Sequence, residues 1–205
     1  MKCTSCLLLC ILAAGMAWSA PQLGPPVDLL EGLERGQIWA QFWGGGDTGV
    51  NGVVGRGETG PRGVDISPGT QFWAQTTGRQ GQTSLGRTQV DLSSQRYARV
   101  WIPTACTNFN LLAPTEEHAM NAFPCPSEDM ARLCALPELW GFPRPSIQLA
   151  VWAIANDPPP ARLRGYLRDQ VRASDNALTE GGIVSGAATL LANAGLDPVR
   201  FAMFR

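Results

Sequence analysis

From Gln37 to about Cys106 the hydrophobic positions recur every second residue. Ile38, Ala40 and Phe42 alternate with Trp39, Gln41 and Trp43, the period of a strand with two unlike faces. Further short strands are predicted at Thr70–Ala74, Leu85–Leu92 and Tyr97–Ile102, spaced by roughly ten residues as in an antiparallel sandwich or barrel. Between them, residues 44–63 are so rich in glycine that they read as a long mobile loop or a loose hairpin, with Val50, Val53 and Val54 as a short strand. After Cys106 the period changes to that of helices. Ser127 is placed to cap a helix through Met130, Leu133, Leu136 and Leu139, with Glu128 and Asp129 in its first turn. Two more helices are expected over Ala161–Val171 and Glu180–Ala194, the second closed by Gly195.

The segment from Pro145 to Asn156 organises the rest. Gln148, Val151, Trp152 and Ala155 fall on one helical face, and Ile147, Ala150 and Ile154 widen it, so the helix is apolar nearly all round and is predicted to be buried. Pro145 suits a first turn, and Pro158–Pro160 stop the helix. The odd residue is Gln148. A buried carboxamide without partners costs about 1–3 kcal/mol, so it either ties the helix to a neighbouring backbone or does chemistry. Strands first and helices second predict an α+β protein: an antiparallel β-sandwich portion over 37–106, then a helical portion over 107–205, forming one domain over 37–205.

Residues 1–20 have the plan of a secretory signal peptide: Lys2, an apolar stretch from Cys6 to Ala14, and small residues before Pro21. The apolar run is shorter than the roughly 20 residues of a membrane span, so no transmembrane segment is expected. Residues 21–36 form a leader of uncertain order. Lys2 is the only lysine. The remaining basic residues are fifteen arginines against seventeen Asp and Glu, a formal charge near −2 that argues against a nucleic-acid partner. Without lysine, a lysine–asparagine isopeptide cross-link cannot form.

Export leaves three cysteines: Cys106, Cys125 and Cys134. In an oxidising compartment Cys125 and Cys134 are the natural short bridge, with Cys106 free, and Cys106–Cys125 is the rival pairing. His118, beside Glu116 and Glu117, is the only histidine. No nucleophile-elbow pattern accompanies any serine, and the sequence holds no second residue set for a metal, so His118 is expected to be a loop residue and no cofactor is expected. Of the tryptophans at 39, 43, 73, 101, 140 and 152, at least four are expected in the core and Trp43 at the surface.

Two motifs remain, Cys106-Thr107-Asn108 at a strand end and Gln148-Leu149-Ala150-Val151-Trp152 in the buried helix. Here the chain resembles the thioester domains of bacterial surface adhesins, in which a Cys-x-Asn strand end faces a Gln-x-Ala-Ile/Val-Trp helix. The resemblance implies an internal thioester between the Cys106 sulfur and the Gln148 carbonyl carbon, supported by Asn108 and Trp152. The reading from the residues alone is plainer: Gln148 bonds the strand-end backbone, Cys106 is a small buried residue, and Asn108 caps a turn. The expected function is that of an exported, secreted or cell-surface binding and adhesion module, covalent or not, for an extracellular protein or glycan. The alternatives are a secreted hydrolase without a recognisable motif and a purely structural envelope protein.

Overall fold

A computed structural model describes residues 22–175 and 177–205. The signal-peptide reading of residues 1–20, with Cys3, Cys6 and Cys10, lies outside them. Among the described residues, nine strands and five α-helices follow one another along the chain.

The β portion is a closed barrel and not a sandwich, which corrects the expected fold class. Six strands close it in the order β2 (Ile38–Gly44), β3 (Gly49–Arg56), β8 (Tyr97–Cys106), β6 (Gln82–Ser84), β5 (Gln71–Ala74) and β9 (Ala119–Phe123), every pairing antiparallel. Closure depends on β9, which pairs with β2 through Phe42↔Met120 and with β5 from Gln71↔Phe123 to Ala74↔Met120. β9 lies beyond Cys106, in the stretch expected to be helical, so the boundary at 106 is not where sheet gives way to helix. A sheet closed on itself has no exposed edge between two layers.

A second, three-stranded sheet orders β1 (Val27–Asp28), β4 (Gly63–Ile66) and β7 (Thr88–Asp91). β1 and helix α1 (Leu29–Glu34) come from the expected leader segment, where Asp28 caps α1 and Leu29 is fully buried. Residues 27–34 of that segment are therefore built into a strand and a helix.

The glycine-rich stretch is not a mobile loop. β3 occupies its middle and pairs along its length with both β2 and β8. Its glycines make room for rings. A Cβ on Gly55 would lie 2.3 Å from the Trp39 indole, one on Gly49 2.1 Å from that of Trp101, and one on Gly52 2.6 Å from the Phe42 ring. The tryptophans depart from the expectation of four in the core: Trp39, Trp73, Trp101 and Trp140 are all exposed, Trp43 is partly buried, and Trp152 alone is in the core.

The helical portion follows its sequence except at its first helix, which stops at Cys134, so that Leu136 and Leu139 fall beyond it and Leu139 lies in a separate 3-10 turn over Pro137–Gly141. Helix α2 (Glu128–Cys134) is capped by the Ser127 hydroxyl, which accepts from Met130 N–H. Helix α3 (Arg144–Asn156) has Pro145 in its first turn and buries residues 145–153 without a break. Helices α4 (Pro160–Ala173) and α5 (Glu180–Asn193) flank it, and Gly195 closes α5 at φ +75°. Phe201 and Met203 of the C-terminal turns complete this core. Leu85 and Ala105 reach from the sheet into the same cluster, so the barrel and helices are packed together along the end of β8.

Candidate functional site

The two motifs meet where β8 ends. β3 runs out opposite Pro103, three positions before Cys106, and leaves the strand edge beyond it without a ladder partner. Gln148, on the inward face of α3, supplies one. Its Oε1 accepts from the Cys106 N–H at 2.9 Å and its Nε2 donates to the Cys106 carbonyl at 2.6 Å, across 42 residues of chain. Both ends of the amide are satisfied, as a buried carboxamide requires.

On the other edge, Gln82 of β6 stands directly opposite Cys106. Cross-strand neighbours on one face lie about 5 Å apart, which brings the Gln82 side chain beside the thiol. Gln82 is fully buried. Its Nε2 donates to Gly46 O at 2.6 Å, while its Oε1 has no partner among the described residues. The thiol itself donates to Asp47 O at 3.7 Å. Arg144, in the first turn of α3, donates to Asp47 O at 3.0 Å and to Thr104 O.

Burial, and then the Asp47 carboxylate, push the Cys106 thiol up to about 12, against smaller opposing effects of Gln82, Arg144 and Gln80. The thiol is therefore neutral at physiological pH. Burial also pulls Arg144 below the ordinary guanidinium range and holds the Tyr166 phenol well above its ordinary value. The sequence reading missed Gln82, Asp47, Arg144 and Tyr166. The one local signal was Arg144 itself, a cation at the start of a helix that buries nearly everything after it.

The other expected residues are placed as follows. Trp152 is 6% exposed and stands edge-on between Phe109, 4.9 Å away, and Tyr166, 4.8 Å away. Asn108 accepts through Oδ1 from Gly81 N–H at 3.0 Å, so it pins the chain entering β6 and makes no bond to Gln148. His118 lies in a turn, its Nδ1 accepting from Thr115 N–H at 3.1 Å. No group of His, Cys, Asp and Glu among the described residues is arranged to hold a metal ion. Cys106, Cys125 and Cys134 are all free thiols, so neither disulfide pairing is made in this structure. Cys125 is partly exposed and donates to Ser127 O, while Cys134 is buried against Thr83. No described helix is long and apolar enough to cross a membrane.

Compared with models of known protein families, with curated proteins and with solved structures, the chain matches none.

Proposed function

We propose that this chain is an exported, extracellular binding module on a thioester-domain-like scaffold, and that Cys106 and Gln148 close into a thioester that captures an amine. The observation that carries the reading is the pair of hydrogen bonds between the Gln148 carboxamide and the Cys106 backbone. The Cys106 N–H points at Gln148 Oε1, where negative charge develops when a nucleophile adds to Cδ. A fixed donor at that position is worth about 3 kcal/mol of transition-state stabilisation. Holding the thiol-bearing residue and the amide together supplies the proximity that an otherwise slow exchange needs.

In the closing step the Cys106 sulfur bonds to Gln148 Cδ, the Cδ–Nε2 bond breaks, and ammonia leaves with the thiol proton. An incoming primary amine then bonds to Cδ, the C–S bond breaks, and the Cys106 thiol is restored with a proton from the amine. Trp152, Phe109 and Tyr166 pack over this part of α3 and exclude the water that would hydrolyse the thioester.

A non-covalent reading of the same module is favoured by one observation: with its thiol pushed up to about 12, Cys106 is a poor nucleophile near neutrality. In that reading the Gln148 bonds are only a splice between helix and strand. The intact mass of the purified mature protein separates the two. A chain one ammonia lighter than its sequence, which gains methylamine and exposes a thiol at Cys106, carries the thioester. A chain at its full mass, inert to methylamine, is a non-covalent binder.

A further inference from the structure

A cleft of about 630 Å³ opens where β5 and β9 of the barrel face the N-terminus of α2 and the C-terminus of α3. That volume is in the range of small-molecule sites, about 300–1,000 Å³. Its apolar walls include Trp73, Phe123, Pro124, Pro126, Met130 and Ile154. Gln71 stands opposite Phe123 in the β5–β9 ladder, and Trp73 follows two residues on, so all three share one face of the sheet. Trp73 is 38% and Phe123 45% exposed, large rings that the protein itself leaves uncovered. None of the lining residues is ionisable.

The polar groups around the cleft are nearly all committed. Thr107 Oγ1 donates to Asn108 Oδ1, which also accepts from Gly81 N–H. Asn156 accepts from Phe109 N–H and donates to Ala155 O, and Ser127 Oγ accepts from Met130 N–H. Gln71 differs. It is 3% exposed, its Nε2 donates to Gly69 O at 3.3 Å, and no donor among the described residues reaches its Oε1. Gln71 lines the cleft, so this oxygen is the acceptor it offers to a ligand.

We propose that this cleft binds an uncharged ring compound, packed on Trp73 and Phe123, that donates an N–H or O–H to Gln71 Oε1. A charged ligand would give up its hydration against a lining with no opposite charge, so the occupant is neutral. Thr107 lines this cleft, whereas the Cys106 thiol is directed to Asp47, so the site does not depend on the thioester. The ring is either a free small molecule or a Trp or Tyr side chain of an extracellular protein.

Calorimetric titration of the purified protein with indole, N-methylindole and indole-3-carboxylate tests the proposal. Indole is expected to saturate one site. N-methylindole, which keeps the ring and loses the donor, should bind about threefold to tenfold more weakly, the worth of one hydrogen bond, and the carboxylate more weakly still. Gln71→Met should abolish the difference between indole and its N-methyl form. Phe123→Ala, which alters a half-exposed side chain, should weaken both compounds without lowering the melting temperature, and Cys106→Ala should bind as the wild type does. A blocked tryptophan-containing peptide that binds over tenfold tighter than indole identifies a protein side chain as the source, and one that binds equally or less well identifies a free small molecule. The proposal is overturned if neither indole nor the peptide saturates, if the carboxylate binds as well as indole, or if binding survives Phe123→Ala unchanged.

Discussion

The Gln148 carboxamide occupies the place of a missing strand beside Cys106, accepting from its N–H at 2.9 Å and donating to its carbonyl at 2.6 Å. One side chain on a helix thus extends the sheet past the point where β3 ends. Both backbone groups of Cys106 are buried, and either would cost about 1–3 kcal/mol unpaired. The bond pair also fixes which turn of α3 faces the barrel.

That relationship makes Gln148→Glu a pH-sensitive variant. A protonated carboxyl can still accept from the Cys106 N–H and donate to its carbonyl, whereas a carboxylate faces that carbonyl with no proton to share. Burial raises the folded-state pKa of such a group above its unfolded value near 4.3. Stability is then fully present below about pH 4.3 and lost as pH rises through the raised folded pKa, by about 3 kcal/mol or more at neutrality. Urea midpoints measured at pH 4 and pH 7.5 should diverge in the variant far more than in the wild type. Equal shifts in both would mean that the carboxamide bonds do not hold the helix.

Thiol labelling should discriminate sharply among the three cysteines. Burial pushes Cys106 and Cys134 up to about 12, and raises Cys125 as well, though that thiol is partly exposed. In native protein at pH 8, iodoacetamide should therefore modify Cys125 first and leave the other two until the chain unfolds. Because both buried thiols have folded values above their ordinary 9.0, the stability they contribute is fully present below about pH 9. It should fall by about 1.4 kcal/mol per pH unit for each thiol between pH 9 and 12. Mass mapping after timed labelling checks the order, and early modification of Cys106 in untreated protein would exclude the thioester.

Trp152→Ala should cost about 3–5 kcal/mol, since it empties a buried site between two aromatic rings. Trp43 is only partly buried on the barrel wall, and its loss should cost about 1 kcal/mol. Denaturant midpoints of the two variants, compared with matched slopes, give the difference directly. Equal midpoints would contradict the burial of α3.

Gly44→Ala tests the barrel rim. A Cβ there would lie 2.5 Å from the Pro114 carbonyl carbon, which is backbone and cannot rotate away, whereas one at Gly57 would meet nothing within 4 Å. The first substitution should destabilise by about 1–3 kcal/mol and Gly57→Ala by a few tenths at most. Thermal melts of both variants read the contrast, and an unchanged melting temperature for Gly44→Ala would mean that the chain around Pro114 is not seated on β2.

Local chemistry alone determined the helical portion. Ser127 as a cap, Pro145 in a first turn, the prolines after Asn156 and Gly195 at φ +75° each act through neighbours within a few residues, so the start of α2 and the bounds of α3 and α5 were legible before any contact was known, whereas α2 stops at Cys134, short of the expected Leu139. The inward position of Gln148 was legible too, because helical period assigns faces. The β portion was legible only as strands. A period of two says that Ile38, Ala40 and Phe42 turn the same way, but it does not name the strand that theirs will pair with. That choice fell to long-range pairing: the five residues of β9, with no strong pattern of their own, bridge β2 and β5 and turn an open sheet into a barrel. The glycines of β3 misled for the same reason, since alone they weaken a strand and beneath Trp39 and Trp101 they let indoles lie against it. The surroundings of Cys106 were likewise beyond the sequence. Asp47, Gln82 and Arg144 come from a loop, a strand and a helix, and only the closed barrel docked on α3 brings them to one thiol.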